Sequence, residues 1–244
     1  MCKLSQKSSL TKVVAIIIHF LGCGSAFNPL LGNTSAYFVS DEKLFLIDAG
    51  ETVFSKLYAM GLLEKYDDIN IIITHTHADH IGSLSSIISY TYYVLKKKVK
   101  VLYPEKSLIR LLELMGIEAA AYEISFDKEH CIGNVKLQAI DVKHAEDIKC
   151  YGYILEFPNQ KIYYSGDAYE VPDIVVKNFY AGEIDRIYQD TTEFVSAHFS
   201  HCPLSVLEGL FPREKRENVY CMHFSNDFYE KIVDKGFNYV RVDE

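Results

Sequence analysis

The sequence contains no tryptophan, and none of its six cysteines stands in a CxxC pair. The missing CxxC spacing argues against a thiol-based zinc or redox site, and scattered thiols in 244 residues do not make a dense disulfide framework. We therefore expect free thiols in a reducing compartment and a cytoplasmic protein. The cysteines lie at positions 2, 23, 131, 150, 202 and 221.

Long apolar runs are also lacking. The best candidate, KVVAIIIHFLGCGSAF, is interrupted by His19 and is shorter than the roughly 20 apolar residues that a membrane-spanning helix needs. An export signal with Cys23 as a lipid-attachment site is the alternative interpretation. The run instead predicts a buried strand, Val13–Leu21, which follows a polar, poorly ordered tail over residues 1–11. We expect no membrane partner.

An excess of positive charge is lacking, since 33 acidic residues outnumber 25 lysine and arginine residues and the formal net charge is −8. Affinity for a nucleic-acid backbone comes largely from lysine and arginine side chains that displace counterions. A large RNA is therefore not the expected partner. The one dense basic run, LKKKVK at residues 95–100, is more typical of a solvated face than of a phosphate site.

Apolar residues make up 49% of the chain, which is enough for a sizeable core. Short β-branched runs such as INIIITH and KIYYSGD alternate with segments of helical periodicity at 53–63, 82–95, 107–116 and 204–212. Strands mixed with helices at both ends of the chain predict an α/β protein in which two sheets lie between helical layers. Since no repeat or linker interrupts the pattern, we expect one domain over residues 12–244.

Histidine and aspartate residues stand where apolar runs stop. In sheet proteins with covering helices, ligand sites gather in the loops beyond strand ends. One such residue is more often a core or capping residue, but five of them beside a dense histidine cluster predict a shared cleft. The five are Asp48, His75, Asp167, Asp190 and His223.

The histidine cluster is the segment ITHTHADHIGS, residues 73–83. His75 and His77 are two positions apart, so in an extended or turning segment both side chains can meet one metal ion. Asp79 and His80 lie beyond a turn and can face a second ion. The mixture of nitrogen and oxygen donors suits Zn²⁺, with Mn²⁺ and Fe²⁺ as alternatives.

The HxHxDH pattern at the end of an apolar strand resembles the central motif of the metallo-β-lactamase fold superfamily, whose members are four-layer αββα sandwiches. Within it, the chain looks most like the branch of transfer RNA 3′-processing endonucleases and cyclic-nucleotide phosphodiesterases, anti-Pycsar-like phosphodiesterases included. The similar segments are LGCGSAF…GNTSAYF (21–38), LIDAGE (46–51), KHAEDIKCYGYIL (143–155), YYSGDA (163–168), YQDTTE (188–193), HCPLS (201–205) and YCMHF (220–224).

The resemblance implies a hydrolase with two divalent transition metals and a hydroxide between them that attacks a phosphoryl group. Metal binding should then also stabilise the fold, since clustered carboxylates would otherwise repel one another. The implied ligands are His75, His77 and His144 for one ion, Asp79, His80 and His223 for the other, and Asp167 for both.

The resemblance also implies a catalytic histidine that is not a metal ligand. His201 in HCPLS takes this role, Asp190 orients it, and Asp79 is counted as catalytic as well as a ligand. Two alternatives are that His201 merely caps the following helix, or that His198 takes its role. Asp48 is expected to accept a hydrogen bond from a ligand loop.

The substrate expectation depends on a missing segment. Many of the related transfer RNA enzymes carry a long RNA-gripping arm between the third histidine ligand and the bridging aspartate. Here His144 and Asp167 are 23 positions apart, and the sequence between them reads as a turn, two strands and a hairpin loop, Phe157 to Gln160. We therefore expect a small phosphodiester such as a cyclic nucleotide as the substrate.

Several alternatives stay open at this point. The chain could be an endoribonuclease of the transfer RNA type without the arm, a lactonase or thioesterase on the same metals, or a binding module with a decayed site. Tyr90, Tyr92 and Tyr93 could stack a base or simply pack in a core. Relatives in this branch are often homodimers, so the resemblance implies a homodimer.

Overall fold

Two β-sheets form the framework of this computed structural model, which describes residues 17–195 and 200–242. The first sheet has the strand order β1-β2-β3-β4-β5-β6, and the second has the order β13-β12-β11-β10-β9-β8-β7. In each sheet, four neighbouring strands are parallel, β3 to β6 in the first and β10 to β13 in the second, and the other pairs are antiparallel. The predicted α/β class with two sheets is confirmed.

The strands of the first sheet are β1 His19–Gly22, β2 Ser35–Ser40, β3 Lys43–Ile47, β4 Asp68–Ile72, β5 Val99–Leu102 and β6 Tyr122–Ser125. The strands of the second sheet are β7 Glu129–Ile132, β8 Val135–Val142, β9 Cys150–Phe157, β10 Gln160–Tyr164, β11 Arg186–Asp190, β12 Val219–Met222 and β13 Asn238–Tyr239. The predicted hairpin between β9 and β10 is present, and its antiparallel register pairs Phe157 with Gln160.

The α-helices are α1 Val53–Met60, α2 Leu62–Lys65, α3 Ala78–Ile81, α4 Leu84–Ser89, α5 Ser107–Leu114, α6 Asp173–Tyr180, α7 Leu204–Leu210 and α8 Tyr229–Asp234. Short 3₁₀ helices cover Pro29–Leu31, Ala119–Ala121 and Arg213–Asn218, and a π-helical turn covers Tyr90–Val94. The longer helices bury one apolar stripe each, as Leu108 and Leu112 do in α5.

The two sheets pack face to face through large aromatic side chains. Phe38 of β2 meets Phe157 of β9 edge to face, with ring centroids 5.2 Å apart, and both side chains are buried. The hydroxyl of Tyr153 on β9 donates to the backbone carbonyl of Ile73 at 2.8 Å, beyond the end of β4. Burial of such rings removes much apolar area from water, so this interface is a main source of stability.

Some predicted boundaries are wrong. Within the described residues, the strand predicted over Val13–Leu21 begins at His19, and Ile17 is 62% exposed. Positions 13–16 of that prediction lie outside the described part of the chain. Apolar composition predicts burial, but the length of a strand is set by pairing, and β1 pairs with β2 through His19–Gly22 only. The helix predicted over 53–63 is broken at Gly61, whose φ of +63° ends α1. The tail over residues 1–11 lies outside the described residues.

The sheet topology fixes where a site can form. Strands β3 and β4 in one sheet and β10, β11 and β12 in the other are parallel to their neighbours, so their carboxyl ends lie at common edges. The two edges are tied together by the backbone, since Ser25 N donates to Phe224 O at 3.0 Å and Phe224 N donates to Cys23 O at 2.8 Å.

Candidate metal centre

The five residues predicted to share a cleft do converge. Asp48 follows β3, His75 follows β4, Asp167 follows β10, Asp190 ends β11 and His223 follows β12. All five are buried. Together with neighbouring histidines and aspartates they form overlapping groups in which the candidate ligand atoms lie within 4.8 Å of one another.

One group consists of three histidines. His75 Nε2 and His77 Nδ1 are 3.0 Å apart, and His77 Nδ1 is 3.2 Å from His144 Nε2. The ring of His144 is held in place by a hydrogen bond on the side away from the cluster, in which its Nδ1 donates to the carbonyl of Ser200 at 2.8 Å. That bond leaves Nε2 of His144 facing the other two rings, which is the arrangement a cation with nitrogen ligands requires.

A second group consists of Asp79, His80, Asp167 and His223, all of them buried. Asp79 Oδ2 is 3.3 Å from His80 Nε2 and 3.3 Å from His223 Nε2. Nδ1 of His80 donates to Asp48 Oδ2 at 2.8 Å, and Asp48 also accepts from the backbone N–H and the hydroxyl of Thr74. Asp48 therefore accepts hydrogen bonds from the ligand loop, as the sequence predicts.

Asp167 lies between the two groups, and its oxygens face opposite ways. Oδ2 is 3.8 Å from His75 Nε2 and 3.6 Å from His144 Nε2. Oδ1 is 3.2 Å from His80 Nε2 and 3.3 Å from His223 Nε2. A carboxylate with this arrangement can serve two cations, one through each oxygen.

The donor set fits divalent cations. Among the described residues, His80 Nε2 and Asp167 Oδ1 are buried without a hydrogen-bond partner, although they are only 3.2 Å apart. Burying polar atoms without partners is costly, and convergent imidazole nitrogens and carboxylate oxygens are the ligands that Zn²⁺ and similar ions take. The groups therefore have the donor chemistry of a divalent-cation site.

Buried charge shifts the pKa values of these side chains strongly. Burial acts to lower the pKa of His223, but Asp167 and Asp190 outweigh it and raise the pKa to about 10. Burial acts to raise the pKa of Asp167, but His223 and His80 outweigh it and hold the pKa well below its usual range. The pKa of His75 is lowered well below its ordinary value, mainly by burial and then by the nearby His80.

His201 lies beside this cluster and contacts Asp190. Its Nδ1 donates to Asp190 Oδ2 at 2.7 Å and is 4.0 Å from Asp167 Oδ2. Burial alone would lower the pKa of His201, but the charge of Asp190 and this hydrogen bond outweigh it and raise the pKa. The helix-cap alternative is wrong, because Pro203 occupies the cap position of α7. His198 lies outside the described residues.

Asp190 has a second contact that the sequence did not reveal. Its Oδ1 is 3.4 Å from Nδ1 of His223, and its Oδ2 also accepts from the backbone N–H of Ala168 at 3.0 Å. One fully buried carboxylate therefore orients both His201 and a member of the second group.

Backbone geometry adds constraints on Asp48 and His223, and one further residue, Gly50, that spacing alone could not reveal. Asp48 and His223 adopt φ values of +63° and +66°, a left-handed conformation that is costly for a residue with a side chain. At Gly50, a Cβ atom would lie 2.0 Å from the carbonyl oxygen of Asp79, so only glycine allows the two loops to approach. The motif LIDAGE contains both Asp48 and Gly50, but the sequence does not show what either one contacts.

The cluster forms the floor of an open cleft of about 990 Å³. His77, Asp79, His144, Asp167, His201 and His223 line it. Tyr90, Tyr92 and Tyr93 are not among the lining residues; the first two pack against the core, and the Tyr93 side chain is 52% exposed with its hydroxyl on Glu118. The structure therefore favours the packing role for Tyr90 and Tyr92 and places none of the three tyrosines in the wall of this cleft.

A family model described as "Anti-Pycsar protein Apyc1" matches residues 16–241. The chain belongs to this family. A curated Apyc1 relative from Bacillus phage vB_BveM-Goe7 is 27% identical over 251 residues, which cover 88% of this chain and 92% of the relative. The match to the Apyc1 family covers every described strand and helix, since it begins just before β1 and ends beyond β13.

Solved structures resemble this Apyc1-family chain in fold. The metallo-β-lactamase fold protein YhfI from Bacillus subtilis superposes with a TM-score of 0.74 at 16% identity and covers 94% of this chain and 96% of its own. The short form of human tRNase Z gives a TM-score of 0.66 at 17% identity, with 93% and 96% covered. The predicted metallo-β-lactamase fold and the predicted branch are confirmed.

Family and fold together identify the chain as a metal-dependent hydrolase. The expectation of an enzyme is thereby confirmed, and a binding module with a decayed site is not supported. Within residues 17–195 and 200–242, no helix is both long enough and apolar enough to cross a membrane.

Proposed function

We propose that this Apyc1-family chain is a phosphodiesterase that hydrolyses small cyclic nucleotides with the help of two divalent cations, Zn²⁺ being the preferred identity. The observation that carries the proposal is Asp167, whose two oxygens face two separate groups of buried ligand atoms at the floor of one cleft. The family name, anti-Pycsar, supports a cyclic nucleotide as the substrate class.

In this proposal, each group of side chains would hold one cation, and Asp167 would be a ligand shared by the two groups. When bound, the cations supply Lewis acidity, which activates water and neutralises charge on the phosphoryl oxygens. Asp79 acts as a ligand. Burial acts to raise its pKa, but contacts with His223 and His80 outweigh burial and hold the pKa far below its usual range, so Asp79 remains ionised at neutral pH. The proposed ligands are His75, His77, His144, Asp79, His80, His223 and Asp167.

His201 is the proposed proton donor. Hydrolysis adds one water across a P–O bond, so the departing ribose oxygen gains a proton. His201 lines the cleft and is 29% exposed at its side chain, and its raised pKa favours the protonated form that a donor needs. Asp190 fixes the ring, because Nδ1 of His201 donates to its carboxylate at 2.7 Å. The other ring nitrogen, Nε2, is then the proposed donor to the leaving group.

The size of the substrate follows from the short connection between His144 and Asp167. In the structure it contains only the hairpin of β9 and β10, and all of its residues are described, with no extension that could grip a large RNA. A cleft of about 990 Å³ lies at the upper end of the range for small-molecule sites, which suits a nucleotide. We also propose that the enzyme acts in the cytoplasm as a homodimer.

A substrate screen tests the proposal. The metal-loaded protein is incubated with 2′,3′- and 3′,5′-cyclic nucleotides, linear dinucleotides and a precursor transfer RNA, and products are separated chromatographically. We expect cyclic nucleotides to be opened to nucleoside monophosphates and His201→Ala to lose this activity while retaining its metal. Efficient site-specific cutting of the transfer RNA 3′ trailer, with cyclic nucleotides left intact, would overturn the substrate assignment.

A further inference from the structure

The loop between β1 and β2, residues 23–34, forms one side of the cleft through Ser25, Ala26 and Phe27. The side chain of Phe27 is 97% exposed, so nearly its whole ring is in contact with water. A single exposed aromatic residue is common on protein surfaces and needs no explanation by itself. The position of this ring at the mouth of a nucleotide-sized cleft, however, places it where a bound nucleotide could cover it.

The loop is held in place by many hydrogen bonds. Ser25 N donates to Phe224 O at 3.0 Å, and the side-chain amide of Asn28 donates to the same carbonyl at 3.3 Å. Gly24 N donates to Gly32 O at 2.8 Å across the base of the loop. Since Phe224 directly follows the proposed ligand His223, the loop that carries Phe27 is fixed relative to the floor of the cleft.

Most of the other residues that line the cleft have polar or charged side chains. Among the described residues that line it, Phe27 is the only aromatic side chain apart from the histidines of the floor, and Ala26, Ala78 and Ala145 are the other apolar residues. A cyclic nucleotide has a charged phosphodiester at one end and a flat, weakly hydrated base at the other. If the phosphodiester lies on the floor, the apolar ring at the rim is the surface that matches the base.

We propose that Phe27 stacks on the base of the bound nucleotide and thereby favours nucleotides over phosphodiesters without a base. This role rests on the proposed cyclic-nucleotide phosphodiesterase activity and identifies the residue that contacts the base. Stacking tolerates every base, because each one has a flat face, so Phe27 gives affinity for nucleotides without strong selection among bases.

Steady-state kinetics provide the first test. We expect Phe27→Ala to raise KM for 3′,5′-cyclic AMP about tenfold, the loss typical of one base–aromatic stack, with kcat little changed. Hydrolysis of ribose 3′,5′-cyclic phosphate, which has no base, should not change. Phe27→Tyr should restore the low KM. The matched control is Leu30→Ala, because Leu30 lies on the same loop and is 96% exposed but does not line the cleft.

A binding measurement gives a readout that is independent of activity. Because the chain has no tryptophan, Phe27→Trp introduces a single tryptophan at the proposed stacking position, and excitation at wavelengths that the 18 tyrosines do not absorb isolates its emission. We expect saturable quenching of its emission by adenosine 5′-monophosphate and none by ribose 5-phosphate. Absence of quenching, equal quenching by both ligands, or emission that changes with protein concentration alone would overturn the proposal; the last result would place Phe27 between copies of the chain.

The two proposals fail in different ways. If the wild-type enzyme opens no cyclic nucleotide, the proposed function fails, whereas base-dependent quenching in the Phe27→Trp variant would still support stacking. If cyclic nucleotides are hydrolysed but Phe27→Ala affects the base-free substrate equally, the stacking role fails and the proposed function stands.

Discussion

Substitution of Asp190 by asparagine is the sharpest test of how the catalytic histidine is held. The Asp190 side chain is fully buried, and its Oδ2 accepts hydrogen bonds from His201 Nδ1 at 2.7 Å and from Ala168 N at 3.0 Å. Asparagine has nearly the same shape but no charge, and one of its two ends donates instead of accepting. If the amide oxygen takes the place of Oδ2, the NH₂ group faces Nδ1 of His223, which lies 3.4 Å from Oδ1. If the amide is turned over, the bond from His201 is lost, so asparagine satisfies only part of these contacts.

The expected magnitude follows from the bond between Asp190 and His201. A hydrogen bond to a charged group contributes up to about 3 kcal/mol, and about 1.4 kcal/mol corresponds to a factor of ten in rate. Losing this bond in the transition state should lower kcat about a hundredfold, within the range of about 10² to 10⁴ for general acid–base catalysis. His201→Ala should cost at least as much, because it removes the proton donor itself.

The assay compares Asp190→Asn, His201→Ala and the double variant, using bis-p-nitrophenyl phosphate and cyclic AMP, with metal content measured by elemental analysis. If Asp190 acts through His201, the double variant should be less than about threefold slower than His201→Ala. Asp234→Asn, at an exposed carboxylate of α8, is the matched control. Fully additive losses, or loss of metal in Asp190→Asn, would refute the reasoning and indicate that Asp190 acts mainly through His223.

Unchanged turnover in His201→Ala would make His201 a structural residue.

Three further predictions concern the metals, a glycine and the substrate. Protein purified without chelator should contain two transition-metal ions per chain by elemental analysis, and chelation should lower its melting temperature, because bound metal offsets repulsion among buried groups. Gly50→Ala should destabilise the protein by about 1–3 kcal/mol in chemical denaturation and reduce its metal content, since the new methyl group would lie 2.0 Å from Asp79 O. Precursor transfer RNA should be cleaved far more slowly than cyclic AMP in a side-by-side gel and chromatography assay, because only a hairpin connects His144 to Asp167.

The parts of the fold that depend on periodicity and apolar runs were predictable. Runs such as INIIITH are apolar throughout, as buried parallel strands are, and β4 forms where that run stands. The convergence of Asp167 and His223 was predictable for a related reason, because both stand where an apolar run stops, and these runs form β10 and β12 of one sheet. Position along the chain and topology together sufficed for these residues.

Other features depend on long-range contacts and could not be predicted. The contact of Asp190 with His223 joins the ends of β11 and β12, and no local spacing encodes it. Helix α6 was missed because its apolar stripe, Val175 and Phe179, is short and flanked by polar residues. The periodicity over 82–95 predicts one continuous helix, whereas Tyr90–Val94 form a π-helical turn. Periodicity does not distinguish these two conformations over five residues.

The left-handed backbone at Asp48 and His223 explains why this site needs two joined sheets. Each residue comes just after a strand and turns its side chain towards the cluster at a conformational cost of about 1–3 kcal/mol. Glycine would remove that cost, but it has no side chain to offer. The strain at His223 is tolerated because Phe224, the next residue, exchanges backbone hydrogen bonds with Cys23 and Ser25 of the other sheet's first loop. The same loop carries Phe27, so the contacts that hold His223 in its strained conformation also fix the distance between the proposed metal ligands and the proposed base-stacking ring.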